Sequence, residues 1–192
     1  MEEMGSPPPL SEQEKKDNKT LMGAMPFGVI AAFVVIAVTG GLTLSGTINL
    51  AGRTDSLPDY GSRMEFTFKY LTLPAVWMVV VILNVIFQRS RTGALNPLNG
   101  RDIYFQKQAN ILQNSFEQFI LSAFAQAILV AFINEQWTLR TIPWVNFLFV
   151  IGRIEFAIGY PNYRTFGMFC GFIPTTGMLG VAVYKFVEHL FF

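Results

Sequence analysis

Long apolar runs separated by short polar segments dominate the chain from Leu21 onward. A transmembrane helix needs about 20 mostly apolar residues, and the runs have roughly that length or more. The predicted spans are 21–44, 66–87, 103–133, 142–158 and 165–190. Polar connections rich in turn-forming residues separate them at 46–65, 88–102, 134–141 and 159–164. The pattern predicts an all-α fold, a polytopic helix bundle embedded in a lipid bilayer.

The first 20 residues differ from the rest of the chain. They are polar, carry both signs of charge and contain a proline triplet at 7–9, so we expect a disordered cytosolic tail. A cleavable signal peptide has a basic start followed at once by a short apolar core, and this segment has neither. The span at 21–44 is therefore expected to remain as an extra transmembrane helix.

Composition supports the membrane assignment and limits the kinds of partner that we expect. Only 14% of residues are charged and 52% are hydrophobic, whereas soluble domains carry about 25% charged residues. The net charge is +1 and basic runs do not exceed two residues, so we expect no nucleic-acid partner. Cys170 is the single cysteine, which excludes an intrachain disulfide. No spacing of residues suggests a metal site.

Lysine and arginine positions predict the orientation, because cytosolic loops of membrane proteins are enriched in them. If the N-terminus is cytosolic, that side holds Lys15, Lys16, Lys19, Arg89, Arg91, Arg101, Lys107 and Arg164. The other side holds Arg53, Arg63, Lys69, Arg140 and Lys185. We therefore expect the N-terminus and the region 88–107 to be cytosolic.

A polar stripe runs along the third span. Its members are separated by three or four residues, so they share one helix face: Gln106, Asn110, Gln113, Asn114 and Glu117. A carboxylate at the centre of a membrane helix costs about 2.5–3.5 kcal/mol, so we expect Glu117 to have a partner. Arg153 is the basic residue well inside another span, and it is predicted to pair with Glu117. Tyr160 follows two turns later on the same face, near Asn110 and Arg164.

Two interpretations of this stripe remain open. Amides and carboxylates in membrane helices often hold helices together, so the Glu117–Arg153 pair would then be structural. Alternatively, the stripe lines a pocket that also binds a ligand, since Tyr160, Tyr163 and Arg164 follow at the same end. Asn84 either lines that cavity or bonds a neighbouring helix. No partner is predicted for Glu155.

These residues resemble a known family. "NxxE" at Asn114–Glu117, "RxxFxxGY" at Arg153–Tyr160, Arg164 before the last span and "NPLNGRD" at 96–102 are similar to motifs of the MAPEG superfamily. MAPEG denotes membrane-associated proteins in eicosanoid and glutathione metabolism, such as microsomal glutathione transferases, leukotriene C4 synthase and prostaglandin E synthase. The resemblance covers about 66–190 and implies a four-helix MAPEG-like domain there. With the extra N-terminal helix, the arrangement is similar to the mattrin-like (transmembrane protein 79) branch, which is linked to the regulation of membrane receptors.

The resemblance implies a homotrimer in the endoplasmic reticulum or another endomembrane, with glutathione bound between subunits near the cytosolic face. By the same resemblance, Asn114, Glu117 and Tyr160 contact the peptide, Arg153 belongs to their polar cluster, and Arg164 stabilises the thiolate as the candidate catalytic residue. Asn110 completes the predicted ligand-binding set. The sequence departs from the enzymes at Asn110, Ile111 and Leu112, where they usually carry Arg, Ala and His or Gln. It departs again at Phe156, where an aromatic hydroxyl or imidazole is common, and in the short spacing from Tyr160 to Arg164.

Three functions follow from these observations. One is a non-catalytic or weakly catalytic member that binds a lipophilic or glutathione-like ligand or regulates a client membrane protein. The alternative is a glutathione transferase or peroxidase acting on lipophilic electrophiles. A channel or transporter is disfavoured, because the chain has no inverted repeats. We favour the first because the enzymes' ligand set is incomplete here.

Overall fold

The computed structural model describes residues 11–52, 56–93 and 104–191, and the predicted loop motif at 96–102 lies outside them. The described chain forms helices separated by short connections, which confirms the predicted all-α bundle. The helices are α1 (Glu12–Leu44), α2 (Tyr60–Thr92), α3 (Gln106–Leu129), α4 (Glu135–Gly159) and α5 (Thr165–Phe191).

Three helices, α1, α2 and α4, begin earlier than predicted, and α2 does so at Tyr60 rather than at residue 66. α1 includes residues 12–20, where disorder was expected, because its exposed first turns form local pairs between Lys15 and Glu12 and between Gln13 and Asp17. α4 includes most of the predicted loop 134–141. Asn134 starts α4 by accepting a hydrogen bond from the Trp137 N–H at 3.1 Å, as an N-cap residue does.

Four of the helices, α1, α2, α4 and α5, are long and apolar enough to cross a membrane. α3 falls short of this by composition because of its polar stripe. Its 24 residues nevertheless correspond to about 36 Å of helix, which is long enough to cross the hydrocarbon layer.

The core of the bundle forms where α2 and α3 pack together and where α4 and α5 pack together, with further contacts linking the two pairs. α1 packs on the outside, mainly against α5 and to a smaller extent against α4. Two hydrogen bonds fix it there: Trp144 Nε1 donates to Thr39 Oγ1 at 3.0 Å, and Arg140 Nη1 donates to the Leu44 carbonyl at 2.6 Å. The second contact satisfies a carbonyl at the end of α1 that has no partner within its own helix.

A buried amide pair joins α3 to α4 in the interior. Asn146 Nδ2 donates to Gln126 Oε1 at 2.7 Å and to the Ile142 carbonyl at 2.8 Å, while Gln126 Nε2 lies 3.2 Å from Ser122 Oγ. Gln126 and Asn146 are fully buried. Because lipid and apolar side chains offer no hydrogen-bonding alternative, the pair holds the two helices in register.

Gly152 and Gly167 allow α4 and α5 to approach closely. A Cβ at Gly167 would overlap the Gly152 carbonyl oxygen and lie 2.6 Å from the Phe156 nitrogen. A Cβ at Gly152 would lie 2.9 Å from both the Cys170 Cβ and the Gly167 carbonyl oxygen. Small residues at such a crossing let membrane helices make backbone contact. This crossing places Arg153 and Glu155 beside the first turns of α5.

Candidate functional site

A polar cavity of about 300 Å³ lies between the N-terminal half of α3, the end of α4 and the start of α5. By the predicted orientation, this is the cytosolic end of the bundle. Its lining residues are Asn110, Gln113, Asn114, Glu117, Phe156, Tyr160, Arg164 and Met168. Five of the six predicted site residues therefore share one cavity, and the sixth, Arg153, lies buried behind it. Whether any of them binds a ligand stays a prediction.

Tyr160 links the two sides of the cavity. Asn110 Nδ2 donates to the Tyr160 hydroxyl oxygen at 3.0 Å, and Asn110 itself accepts from Gln106 Nε2 at 3.0 Å. The Arg164 guanidinium lies 5.0 Å from the centre of the Tyr160 ring, within the range of a cation–π contact. The predicted proximity of Tyr160 to Asn110 and Arg164 is confirmed.

The predicted ion pair between Glu117 and Arg153 is wrong. The ion pairs found within 11–52, 56–93 and 104–191 lie elsewhere in the chain. Glu117 is exposed in the single chain, and its Oε1 accepts from Gln113 Nε2 at 2.9 Å. Arg153 is fully buried, and its Nη1 donates to Asn114 Oδ1 at 2.7 Å. Asn114 lies one turn before Glu117 and faces α4, so it reaches the guanidinium while Glu117 faces the open side of the cavity.

Two further contacts hold Arg153. Its Nη2 donates to the Gly167 carbonyl at 3.1 Å, and its guanidinium lies 4.8 Å from the centre of the Phe156 ring. Its Nε has no hydrogen-bond partner within the described residues. A buried cation of this kind fixes the geometry of the cavity wall, because moving it would leave its donors unpaired in an apolar interior.

Glu155 has a partner that the sequence did not predict. Its Oε2 accepts from the Gly167 N–H at 2.6 Å. Gly167 lies in the first turn of α5, where backbone N–H groups have no partner within the helix and where a negative charge is favoured by the helix dipole. Glu155 therefore caps α5 from the neighbouring helix, and Arg153 and Glu155 together hold both polar backbone groups of Gly167.

Arg164 is the cation that lines the cavity. It lies in the turn between α4 and α5 and is half-buried. Within the part of the chain that the structure describes, its guanidinium has the aromatic contact with Tyr160 but no hydrogen bond and no ion pair. An arginine placed in this way has its N–H donors available to an anionic ligand.

Sequence reasoning assigned some neighbouring positions less well. Met168 lines the cavity from α5, and no feature of the sequence had marked it as a cavity residue. Asn84 is exposed on α2 and is not among the residues that line the cavity, so the first of its two alternatives is not found. The described residues contain no group of three or more His, Cys, Asp or Glu side chains that would hold a metal ion.

Comparison with known proteins identifies the bundle. A sequence model described as the MAPEG family matches residues 67–184, which is more than half of the chain. The match begins near the start of α2 and ends in α5, so α1 lies outside it. No curated protein and no solved structure is similar enough to count as a match. The chain is an integral membrane protein by its four apolar helices, and by this match it belongs to the MAPEG family.

Proposed function

We propose that this protein is a weakly catalytic or non-catalytic MAPEG member that binds a glutathione-like ligand in the polar cavity. The observation that carries the proposal is the convergence of Asn110, Glu117, Tyr160 and Arg164 on one cavity of about 300 Å³, against a wall fixed by Arg153. Ligand sites of about 300–1,000 Å³ with a few placed polar groups are typical of small-molecule binding. Amide, carboxylate, hydroxyl and guanidinium groups suit a peptide that carries both amino and carboxylate groups.

Weak binding and weak catalysis follow from the charges. Glutathione carries two carboxylates, but among the described residues that line the cavity Arg164 is the sole cation. Asn110 stands where the enzymes of the family usually have a basic residue. A lost hydrogen bond to a charged group costs about 1.5–3 kcal/mol. Phe156 adds an apolar ring to the wall rather than a hydrogen-bonding group.

The exposure of the stripe supports a homotrimer. Gln113 and Glu117 are exposed in the single chain, on a helix that runs among membrane spans. Polar side chains at membrane depth face a bundle interior or water rather than lipid. A second copy of the chain packed beside α3 would cover this side of the cavity and enclose the ligand between subunits.

Glutathione conjugation is the second candidate, and the position of Arg164 favours it. A thiol bound beside this guanidinium would have its anionic form stabilised electrostatically. The step would require the sulfur to lie near the cavity mouth, where Arg164 is half-buried. A lipophilic electrophile would then approach from the bilayer.

Thermal unfolding of the purified protein in detergent tests the proposal. Glutathione at 100 times its dissociation constant should add about 2.7 kcal/mol to the free energy of unfolding. Tyr160→Phe and Arg164→Gln should weaken this effect. Arg91→Gln should not, because Arg91 lies at the same end of the bundle but packs on Phe87 away from the cavity.

Absence of any stabilisation at millimolar glutathione would reject the ligand assignment. Stabilisation that is equal in Arg164→Gln and in the unmodified protein would reject the role of this site. Turnover of an aryl halide with glutathione, lost in Arg164→Gln even at glutathione concentrations that saturate this weaker-binding variant, would favour the enzyme over the binding protein. Mass measurement of the intact complex tests the trimer, and a stable monomer would contradict it.

A further inference from the structure

A second and larger cavity lies at the opposite end of the bundle. It has a volume of about 730 Å³, and its walls are α1, α4, α5 and the end of α3. The body of the cavity is apolar and is lined by Ile36, Leu129, Trp144, Ile173, Met178 and Val181. The polar cavity is lined by the N-terminal half of α3 and the C-terminal end of α4, whereas this cavity is lined by the C-terminal end of α3 and the N-terminal part of α4. The two cavities therefore lie at opposite ends of the bundle.

Thr141 lines the cavity about two turns inside α4, and the polar side chains of Asn134 and Lys185 lie at its outer end. Asn134 begins α4, and Lys185 lies in the last two turns of α5, so both are at the helix ends on this side. Lys185 is the single charged residue among the described lining residues. Its Nζ donates to Glu188 Oε2 at 2.5 Å, and an ammonium group has three N–H donors, so it retains donors for another acceptor. The cavity thus has an apolar body and, at one end, an ammonium group that is paired with Glu188 and retains donors for a further carboxylate.

α1 builds one wall of the cavity and is firmly attached. Ile36 and Leu44 line the cavity. Thr39, which lies between them in sequence, accepts a hydrogen bond from α4, and so does the carbonyl of Leu44 itself. A Cβ at Gly40 would lie 2.9 Å from the Trp144 ring, so α1 and α4 are in close contact here. The wall is therefore supplied by the helix that the family match does not include.

We propose that this cavity binds a long-chain fatty acid, with the hydrocarbon chain between α1 and α5 and the carboxylate at Lys185. The volume lies within the range of small-molecule sites. An apolar cavity beside the bilayer core gains from hydrocarbon rather than from water, because water finds too few polar partners in it. The cationic end selects an acidic headgroup, and Trp137 at the rim is half-exposed, as side chains at the membrane interface often are. This site is independent of the glutathione-like ligand proposed for the polar cavity.

The tryptophans provide a direct measurement. Trp137 and Trp144 line the cavity, whereas Trp77, the third tryptophan of the chain, does not. In a Trp77→Phe background, stearic acid carrying a nitroxide in mid-chain should quench the fluorescence saturably in phosphatidylcholine nanodiscs. Unlabelled stearic acid should reverse the quenching by competition.

Two glycines of α5 offer a matched pair of variants. A side chain at either Gly177 or Gly180 would meet open space, but only Gly177 lines the cavity. Gly177→Leu should weaken saturable quenching about tenfold, which corresponds to about 1.4 kcal/mol, whereas Gly180→Leu should leave it unchanged. Equal quenching in both variants, or quenching that never saturates, would mean that the probe merely dissolves in the bilayer and would overturn the proposal.

Lys185 tests the headgroup separately and does not depend on the glycine variants. Lys185→Gln should weaken binding of the acid about fivefold, the effect of a partly exposed charge, and leave its uncharged methyl ester unaffected. Lys69→Gln is the control, because Lys69 also pairs with a glutamate on its own helix and lies outside the cavity. If acid and ester bind equally in the unmodified protein, the carboxylate assignment is wrong.

Discussion

Arg153 donates a hydrogen bond to Asn114 at 2.7 Å, and this contact joins α4 to α3 behind the polar cavity. The guanidinium is fully buried, whereas Glu117, one turn further along α3, is exposed. The buried cation is thus held by a neutral amide and a backbone carbonyl, and the carboxylate of the stripe remains on the open side. The buried support of the cavity wall and the carboxylate on its open side are therefore separate groups.

Replacement of Asn114 tests this separation. Asn114→Leu leaves one Nη1 donor of a buried cation without its partner, so we expect the free energy of unfolding to fall by about 1.5–3 kcal/mol. Gln113→Leu is the matched control, because Gln113 is exposed and bonds only Glu117 among the described residues. Chemical denaturation in mixed micelles measures both. Equal loss in the two variants would contradict the structural role of Asn114.

The glycine crossing gives a second prediction. Gly167→Ala places a methyl group against the Gly152 carbonyl, so α4 and α5 must separate and stability should fall by about 1–3 kcal/mol. Gly180→Ala, in the same helix but facing open space, should instead stabilise by about 0.5–1 kcal/mol through helix propensity. Thermal unfolding followed by circular dichroism distinguishes the two signs. A stabilised Gly167→Ala variant would mean that the helices are not in contact there.

The amide pair inside the bundle predicts non-additive mutations. Gln126→Leu or Asn146→Leu alone leaves a buried amide without its partner and should cost about 1–3 kcal/mol. The double variant should cost less than the sum, with a coupling of about 0.6–2 kcal/mol. A double-mutant cycle by chemical denaturation measures the coupling. A coupling of zero would show that the two amides act independently.

The attachment of α1 can be tested without disturbing the other helices. Arg140→Ala removes the donor to the Leu44 carbonyl, so amide exchange in residues 45–52 should accelerate about fivefold, equivalent to about 1 kcal/mol. Exchange in α2, α3 and α5 should be unchanged, because this contact joins only the end of α1 to Arg140 of α4. Arg91→Ala, at the other end of the bundle, should leave residues 45–52 unaffected. Slow exchange there in Arg140→Ala would place the anchor of α1 elsewhere.

Asp59 gives the start of α2 a dependence on pH. The Ser62 N–H donates to its carboxylate at 2.7 Å, which lowers the pKa of Asp59 below its ordinary value of 3.8. Since the folded pKa is the lower one, the charged carboxylate stabilises the helix start above pH 3.8, and this contribution disappears as the pH falls through the lowered pKa. Asp59→Asn retains a capping oxygen but cannot titrate. The stability difference between the two proteins should be present at neutral pH and vanish in acid, and a difference that persists in acid would contradict the assignment.

The sequence predicted the helix count from the length of its apolar runs, and it placed the polar stripe of α3 on one face because three- and four-residue periodicity directly reports a shared helix face. It did not predict which polar group reaches Arg153. Asn114 and Glu117 lie on one face, and only the packing of α3 on its neighbours decides which of them faces α4. Opposite charge suggested Glu117, but the shorter residue nearer to α4 makes the contact. The partner of Glu155 could not be predicted for a different reason. It is a backbone N–H, and every residue except proline has one, so no side-chain type in the sequence marks it.

The fatty-acid cavity was likewise beyond sequence reasoning. Its lining comes from four helices, and each contributes ordinary apolar residues that would equally suit a solid core. Only the positions of the helix axes leave the space between them unfilled. Gly177, which a sequence alone presents as a helix-weakening residue, marks the opening.

The hydrogen bonds of Glu155 and Arg153 to the backbone of Gly167 bear on how the polar cavity would accommodate the proposed ligand. It binds the first turn of α5 to α4 on both sides of the connecting turn, so the frame that carries Tyr160 and Arg164 is fixed before anything enters. If the proposed ligand binds there, we expect individual side chains to rotate, and the entropy lost on binding to fall on Arg164 and Gln113 rather than on the main chain.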